Sequence, residues 1–476
     1  MIPLHKDRCF DSDSAVRRIA RKLYAETRTL PIVSPHGHVD ARILAENARF
    51  PEPTSLIVTP DHYILRMLYA RGIPMERLGV PRRDGGPVEK DPRKVWRVFA
   101  EHYHVFRGTP TGVWLDHELS EVFGIRRSLS VKTAERIYDE IDERLDDPQW
   151  RPRALFERFK IELLATTDAA TDMLEHHAAI RRSGWAAGGN GPGGPRVIPT
   201  FRPDALFRIA HPEWRDNLEK LGAIRGAAID GVEAFTDALE ERRAYFRKFG
   251  ATATDHGVEE PRAERLSVDA AQRLFGRAKN GAATPADQRQ FESHMLMEMA
   301  RMSVSDGLVM QLHPGALRDH NSMIYERFGP DRGGDIPIAT EFTRSLRPLL
   351  TDYGNDPAFT IVLFTLDEST YSRELAPLAG HYPAVRLGAP WWFHDSIEGM
   401  MRFRERTTES AGYDKTAGFT DDTRAFCSIP ARHDVARRVD ANWLARLVAR
   451  HIIGMSDARA MARALAYDLA KTTYRL

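Results

Sequence analysis

Cysteine is nearly absent from the 476 residues: Cys9 and Cys427 cannot build a disulfide framework, and neither sits in a CxxC motif. No apolar run approaches the length of a membrane span. The N-terminus, MIPLHKDRCFDSDSAVRR, is polar from residue 5 onward and lacks the apolar stretch of a signal peptide. Excess charge is missing too. With 68 Lys+Arg against 67 Asp+Glu the formal net charge is +1, which removes the electrostatic case for nucleic acid or a membrane surface. Together these absences suggest a cytoplasmic protein with reduced thiols. The glycine-rich stretch GWAAGGNGPGGP at 184–195 has no GK[ST] after it, so it does not match a phosphate-binding loop. Lying between a helix and the next strand, it reads as a flexible connection on the face where loops are not catalytic.

Apolar material, by contrast, is ample for a full core, at 42% hydrophobic and 28% charged residues. Eight short runs read as buried strands: PIVS 31–34, LLAT 163–166, RVIPTF 196–201, ATATD 251–255, GLVMQLH 307–313, FTIVLFTL 359–366, AVRLGA 384–389 and KTAGFT 415–420. Helical patterns lie between most of them, such as TDMLEHHAAIRR at 171–182 and VEAFTDALEERRAYFRKF at 232–249. Eight strands alternating with helices point to an α/β fold closed as a (β/α)8 barrel, with a doubly wound sheet as the alternative. Residues 50–160 separate the first two runs by far more than one crossover helix needs. They are mostly helix-like, AERIYDEIDERL at 134–145 included, and are expected to form a helical insertion over the barrel mouth of a single domain spanning 1–476.

In such barrels the chemistry sits at the carboxyl ends of the strands. His36 and His38 follow the first run, Thr167 and Asp168 the second, Arg202 the third, and Asp255 and His256 the fourth. His313, Gly315 and Arg318 follow the fifth, Asp367 and Glu368 the sixth, Trp391 and Trp392 the seventh, and Asp422 and Arg424 the eighth. A His-X-His pair alone carries little weight, since roughly 0.7 are expected by chance in such a chain. His102-Tyr103-His104, with no strand before it, shows what a chance pair looks like. The first pair gains meaning from closure, which would set the eighth strand beside the first and Asp422 beside His36 and His38. Both imidazoles can face the axis, because residues i and i+2 on a strand share a side. Two nitrogens and one carboxylate oxygen suit Zn2+ or Mn2+ with positions left for substrate.

At this point the chain resembles a family, the uronate (glucuronate) isomerases of the amidohydrolase superfamily. The resemblance runs over nearly the whole length. It rests on His36-Gly37-His38, Asp61-His62-Tyr63 with Arg66, TTD at 166–168, LEHH at 174–177, TFRPD at 200–204, DHG at 255–257, MQLHPGALRDHN at 310–321, WWFHD at 391–395 and Asp422-Thr423-Arg424. One departure stands out: many members carry YHCH where this chain has PHGH. The resemblance implies a distorted (β/α)8 TIM-type barrel that interconverts D-glucuronate with D-fructuronate and D-galacturonate with D-tagaturonate. It also implies one divalent metal, Zn2+ with Mn2+ as the alternative, held by the residues matching His36, His38 and Asp422. Asp422 would double as proton shuttle, Arg424 would stabilise the enediolate, and His62 and Tyr63 would reach in from the insertion. Without the resemblance, Asp61-His62-Tyr63 reads more simply as a helix start capped by Asp61.

The substrate's carboxylate calls for an arginine fork, and Arg202 is the first candidate, with Arg318 second. Trp391 and Trp392 are candidates to pack on the sugar ring, although core packing would explain either. His313 suits substrate hydroxyls or a further metal position, and His256 the same or a partnered place at the rim. A metal-dependent hydrolase of the same superfamily is the chief rival, and a non-catalytic sugar-acid binding protein the lesser one. The expected partner is a small-molecule uronate, with neither nucleic acid nor membrane; a homo-oligomer is compatible with the sequence.

Overall fold

A computed structural model describes residues 4–185 and 196–476. Most of the glycine-rich linker, 186–195, therefore lies outside the described residues. Seven of the eight expected runs form strands: β1 (Ile32–Ser34), β2 (Ile161–Ala169), β3 (Arg196–Arg202), β4 (Ala253–His256) and β5 (Val309–Leu312), then β8 (Ile361–Leu363) and β9 (Val385–Leu387). They make one sheet in the order β1-β2-β3-β4-β5-β8-β9, parallel at every pairing. Chain order and sheet order thus coincide, as βαβ crossovers produce, and every strand ends on the same edge. A short antiparallel pair that the sequence did not suggest, β6 (Ala316–Leu317) with β7 (Ile336–Pro337), stands apart from this sheet.

Where an eighth strand was expected, 415–420 makes only an isolated parallel bridge, Thr416 to Leu387. The reason is local. Gly418 takes φ +78°, and a Cβ there would stand 2.8 Å from the Ala470 nitrogen. The chain thus passes close against the helix Leu469–Tyr474 where a ladder would run. It still reaches the first strand end, for the His38 amide donates to the Thr423 carbonyl at 3.0 Å.

Helix Ala134–Leu145 matches its expected range, and Val232–Lys248 falls one residue short. The helix expected over 171–182 begins only at Glu175. Asp172 accepts from the Leu174 amide at 2.6 Å and Leu174 takes φ 53°, so a side-chain-capped turn precedes the first helical residue. Between β1 and β2 the chain is largely helical, including His62–Tyr69, Pro92–Glu101, Pro110–His117 and Pro152–Arg158. Its buried Trp96, Phe99, Phe106 and Ile137 share one core with Ile32, Leu164 and Val197 of the sheet. A second core lies under β3, β5 and β8, where Phe201, Phe246, Phe291, Leu312 and Leu363 are buried. Truncating one of these phenylalanines to alanine would cost about 3–5 kcal/mol. No helix among the described residues is long and apolar enough to cross a membrane.

Candidate active site

The carboxyl edge of the sheet opens into a cavity of about 370 Å³. Eleven residues nominated from the sequence line it: His36, His38, His62, Tyr63, Arg202, His313, Arg318, Trp391, Trp392, Asp422 and Arg424.

At one end three donors converge. Pro35 ends the first strand run, and the following His-Gly-His sets two imidazoles edge to face, 5.3 Å apart at 82°. Asp422 Oδ1 lies 3.4 Å from His36 Nε2 and 3.1 Å from His38 Nε2. These atoms fall within the spacing that one ion could bridge. Asp422 Oδ1, His36 Nδ1, Asp255 Oδ1 and both His313 nitrogens are buried and form no hydrogen bond of ordinary geometry, although Asp422 Oδ1 lies against two imidazoles and Asp255 Oδ1 against His313. Buried polar atoms are ordinarily partnered, so orphans gathered at one point mark groups arranged around something they bind. The donor set and its burial fit a divalent metal. Burial opposes the Asp422 carboxylate, yet His36 and His38 beside it hold its pKa well below the usual range. The departure at Gly37 is not forced by crowding: a Cβ there would stand 3.6 Å from Asp421 Oδ1, an ordinary contact.

His36 also stacks on His313 at 4.6 Å, and His313 Nδ1 lies 2.7 Å from Asp255 Oδ1. His36, Asp255 and His313 therefore form a second group with ligand spacing that shares one imidazole with the first.

The other end holds three arginines, each paired with a carboxylate. Arg202, the last residue of β3, donates from Nε to Asp204 at 2.8 Å and faces Asp255 at 3.4 Å. Arg318 donates to Asp335 at 2.8 Å, and Arg424 pairs with Asp331 at 3.0 Å. Asp204, Asp331 and Asp335 line the cavity but were not nominated from the sequence, nor was Asp255 beyond its place at a strand end. TFRPD and DHG carry Asp204 and Asp255, which offered a signal. Asp331 and Asp335 lie between β6 and β7 with no recognisable strand before them, so nothing pointed to them.

His62 opens the helix His62–Tyr69, and Asp61 caps it by accepting from the Tyr63 amide at 2.8 Å. The capping and site readings are compatible, because this cap holds His62 and Tyr63 at the cavity wall. His62 stacks on Tyr63 and meets Trp392 edge-on at 5.1 Å. Burial, aided by Arg424, lowers its pKa to about 3, so the ring is neutral at physiological pH. Tyr63 donates to Asp395 at 2.8 Å, and burial raises its phenol well above the usual value.

Other strand-end residues lie elsewhere. Thr167 and Asp168 face a side cavity of about 350 Å³ that shares His38 and Arg424. His256 is buried, with Nε2 2.9 Å from Thr254 Oγ1 and its ring stacked on Phe207, but its Nδ1 has no partner, and it lies outside the cavity lining. His102 turns Nδ1 to the Val98 carbonyl at 2.9 Å, and neither it nor His104 lines the cavity. Glu368 is taken by Arg402 and Arg406, while Asp367 caps the turn at Ser369.

A parallel α/β sheet whose carboxyl edge presents a His-His-Asp triad and three arginines in one cavity defines a metal-site protein of the α/β class. A family model described as glucuronate isomerase matches residues 11–474. A uronate isomerase of Nostoc punctiforme is 53% identical over 474 residues, 99% of this chain and 98% of that protein. The crystal structure of glucuronate isomerase from Caulobacter crescentus superposes with a TM-score of 0.95 at 49% identity, covering 99% of this chain and 97% of that one. The uronate isomerase of Thermotoga maritima does so at 0.90 and 28% identity, covering both chains fully at 100%. The chain belongs to the glucuronate isomerase family.

Proposed function

We propose that the protein is a uronate isomerase that interconverts D-glucuronate with D-fructuronate and D-galacturonate with D-tagaturonate. The observation that carries this reading is the placement of the His36, His38 and Asp422 donors in the same cavity as Arg202, Arg318 and Arg424. An aldose–ketose exchange moves hydrogen between C1 and C2 and needs charge stabilised on oxygen at one end of the sugar, with the carboxylate held at the other. A divalent metal, Zn2+ or Mn2+, bound by His36, His38 and Asp422 would supply Lewis-acid polarisation of the reacting oxygens. Arg202 receives the uronate carboxylate, since its guanidinium is planar and sits at a strand end, and Arg318 assists. Asp422 carries the proton between carbons, Arg424 holds the enediolate oxygen, and His62 and Tyr63 close the opposite wall. His62 acts as a neutral donor or acceptor, not as an imidazolium. Trp391 and Trp392 exclude water along the ring face, and His313 receives a hydroxyl.

The same proposal includes the architecture: a distorted (β/α)8 barrel of one domain, 1–476, with 50–160 as a helical insertion over its mouth. The His38–Thr423 hydrogen bond between the first and last segments and the Thr416–Leu387 bridge support it. The decisive test is incubation with each uronate, followed by coupled reduction of the ketose product with NADH. Turnover of D-glucuronate is expected. No turnover of either uronate, together with hydrolysis of a lactone or ester, would move the assignment to a hydrolase. Running the reaction in heavy water separates the routes: deuterium in the product indicates proton transfer through an enediol.

A further inference from the structure

Behind the cavity wall, the helix Ile429–Ala449 presents a buried cation that no step of the isomerisation uses. Arg432 is 3% exposed, and its Nη1 donates to two acceptors at once. One is Asp395 Oδ2 at 3.2 Å; the other is the Asp421 carbonyl, also at 3.2 Å. Asp395 Oδ2 is the atom that accepts the Tyr63 hydroxyl at 2.8 Å. The guanidinium lies 3.7 Å from the Trp114 ring centroid and 5.3 Å from that of Tyr63, which holds its plane in place.

The second acceptor bears on the triad. Asp422 takes φ 40°, a left-handed conformation that a residue with a Cβ adopts at a cost. Such a backbone persists only where its surroundings over-determine it. Here they do so from both sides: the Asp421 carbonyl accepts from Arg432, the Asp421 carboxylate takes His433 Nε2 at 3.0 Å, and the Thr423 carbonyl accepts from His38. The turn that aims Asp422 at the imidazoles is thereby tied to the same nitrogen that orients the Tyr63 acceptor.

We propose that Arg432 is a positioning residue: through Asp395 it fixes the Tyr63 hydroxyl, and through the Asp421 carbonyl it fixes the turn that presents Asp422 to His36 and His38. This rests on the roles given above to Tyr63 and Asp422. A buried ion pair serving stability alone would lower the melting temperature and leave a folded variant with unchanged metal affinity and turnover. A positioning residue moves both, because groups supporting metal ligands typically change affinity or activity by about 10–100-fold.

The test uses the full chain stripped of metal and titrated with Zn2+ against a chromophoric chelator, alongside kcat and KM on D-glucuronate. For Arg432→Met, Zn2+ affinity and kcat are each expected to fall about 10–100-fold, with KM less affected. Arg432→Lys keeps the charge, but its shorter stem cannot carry an ammonium to the Nη1 position and it lacks the planar group that stacks on Trp114; it is expected to lose about tenfold in each. Asp395→Asn and Tyr63→Phe should lower kcat while leaving Zn2+ affinity intact, and the double variant should be no worse than the poorer single one. Wild-type affinity and turnover in folded Arg432→Met or Arg432→Lys would overturn the proposal, as would additive losses in the double variant. If Arg432→Met does not fold, the lysine variant and the Asp395/Tyr63 cycle decide. The Zn2+ readout does not depend on substrate, so absence of uronate turnover in the wild type would strike the functional assignment and leave the Asp422 arm of this proposal standing.

Discussion

At one end of the cavity Asp422 Oδ1 lies buried between two imidazoles without a well-formed hydrogen bond, while at the other end each arginine holds a protein carboxylate. An orphaned buried acceptor costs about 1–3 kcal/mol, more when charged. On the proposed reading, the ion that His36, His38 and Asp422 hold would relieve this cost and stay bound. The arginine end is already neutralised by Asp204, Asp255, Asp331 and Asp335, so an arriving carboxylate exchanges with or joins anions that are present. On the proposed reading one end is organised around a resident metal, the other around an arriving carboxylate.

Breaking the metal end should have the largest effect. Asp422→Asn removes the one anionic ligand and is expected to lower kcat by more than ~100-fold, beyond what loss of a supporting group does. The protein should remain folded. Zn2+ at a hundredfold excess over its Kd should stabilise the wild type by about 2.7 kcal/mol and metal removal should reverse this. In Asp422→Asn the Zn2+-dependent rise in melting temperature should largely disappear, and a rise of wild-type size would take Asp422 out of the ligand set.

Breaking the arginine end should leave the metal alone. Hydrogen bonds to charged groups contribute about 1.5–3 kcal/mol, so Arg202→Met is expected to lower kcat/KM by roughly 10–100-fold. Zn2+ affinity should be unchanged. If kcat/KM stays at the wild-type value, the carboxylate clamp is elsewhere and Arg318 becomes the candidate.

The same contrast governs what could be read in advance. The place of His36, His38, Arg202 and His313 in the cavity was legible because each lies at the end of an apolar strand run. Asp422 and Arg424 were legible for a different reason: the order of the final segment puts them beside the first strand even though 415–420 forms no ladder. Apolar alternation in KTAGFT looked like a strand, and nothing in the stretch itself showed that Ala470 would pack against Gly418. The anions that neutralise the arginines were largely illegible. Asp331 and Asp335 sit in an irregular excursion between two-residue strands, and their position is set by tertiary contacts, such as Gly333 packing on Arg66 and the His62 carbonyl. Arg432, inside a long helix, looked like any other helical charge.

Asp331 sharpens the comparison at a smaller scale. Its pair with Arg424 is partly exposed, the side chains retaining 36% and 45% of their surface, and such pairs contribute roughly 0.2–1 kcal/mol. Asp331→Ala frees Arg424 for the substrate, so KM for D-glucuronate should fall by up to about fivefold. A rise in KM would mean instead that Asp331 binds the sugar directly.

The smallest effect concerns an anion outside both ends. Among the described residues Asp168 faces the side cavity with neither an arginine partner nor a place in either group of ligand spacing; its ionisable neighbour is His177, with Nε2 3.9 Å away and the ring kept neutral by burial. Burial raises its pKa from 3.8 to about 7, opposed by the Thr166 hydroxyl that it accepts at 2.7 Å. The folded state therefore binds this proton more tightly than the unfolded chain. The sign follows from linkage: between those two pH values the native state carries more protons, so this group's contribution to stability falls as pH rises, and the full penalty is present above the folded pKa. Asp168→Asn is uncharged at every pH and can keep an acceptor for Thr166. Its melting temperature should exceed that of the wild type at pH 8, and the difference should vanish near pH 4. The same difference at both values would show that burial does not destabilise this carboxylate, and that the Thr166 hydroxyl suffices to hold an anion here without an arginine.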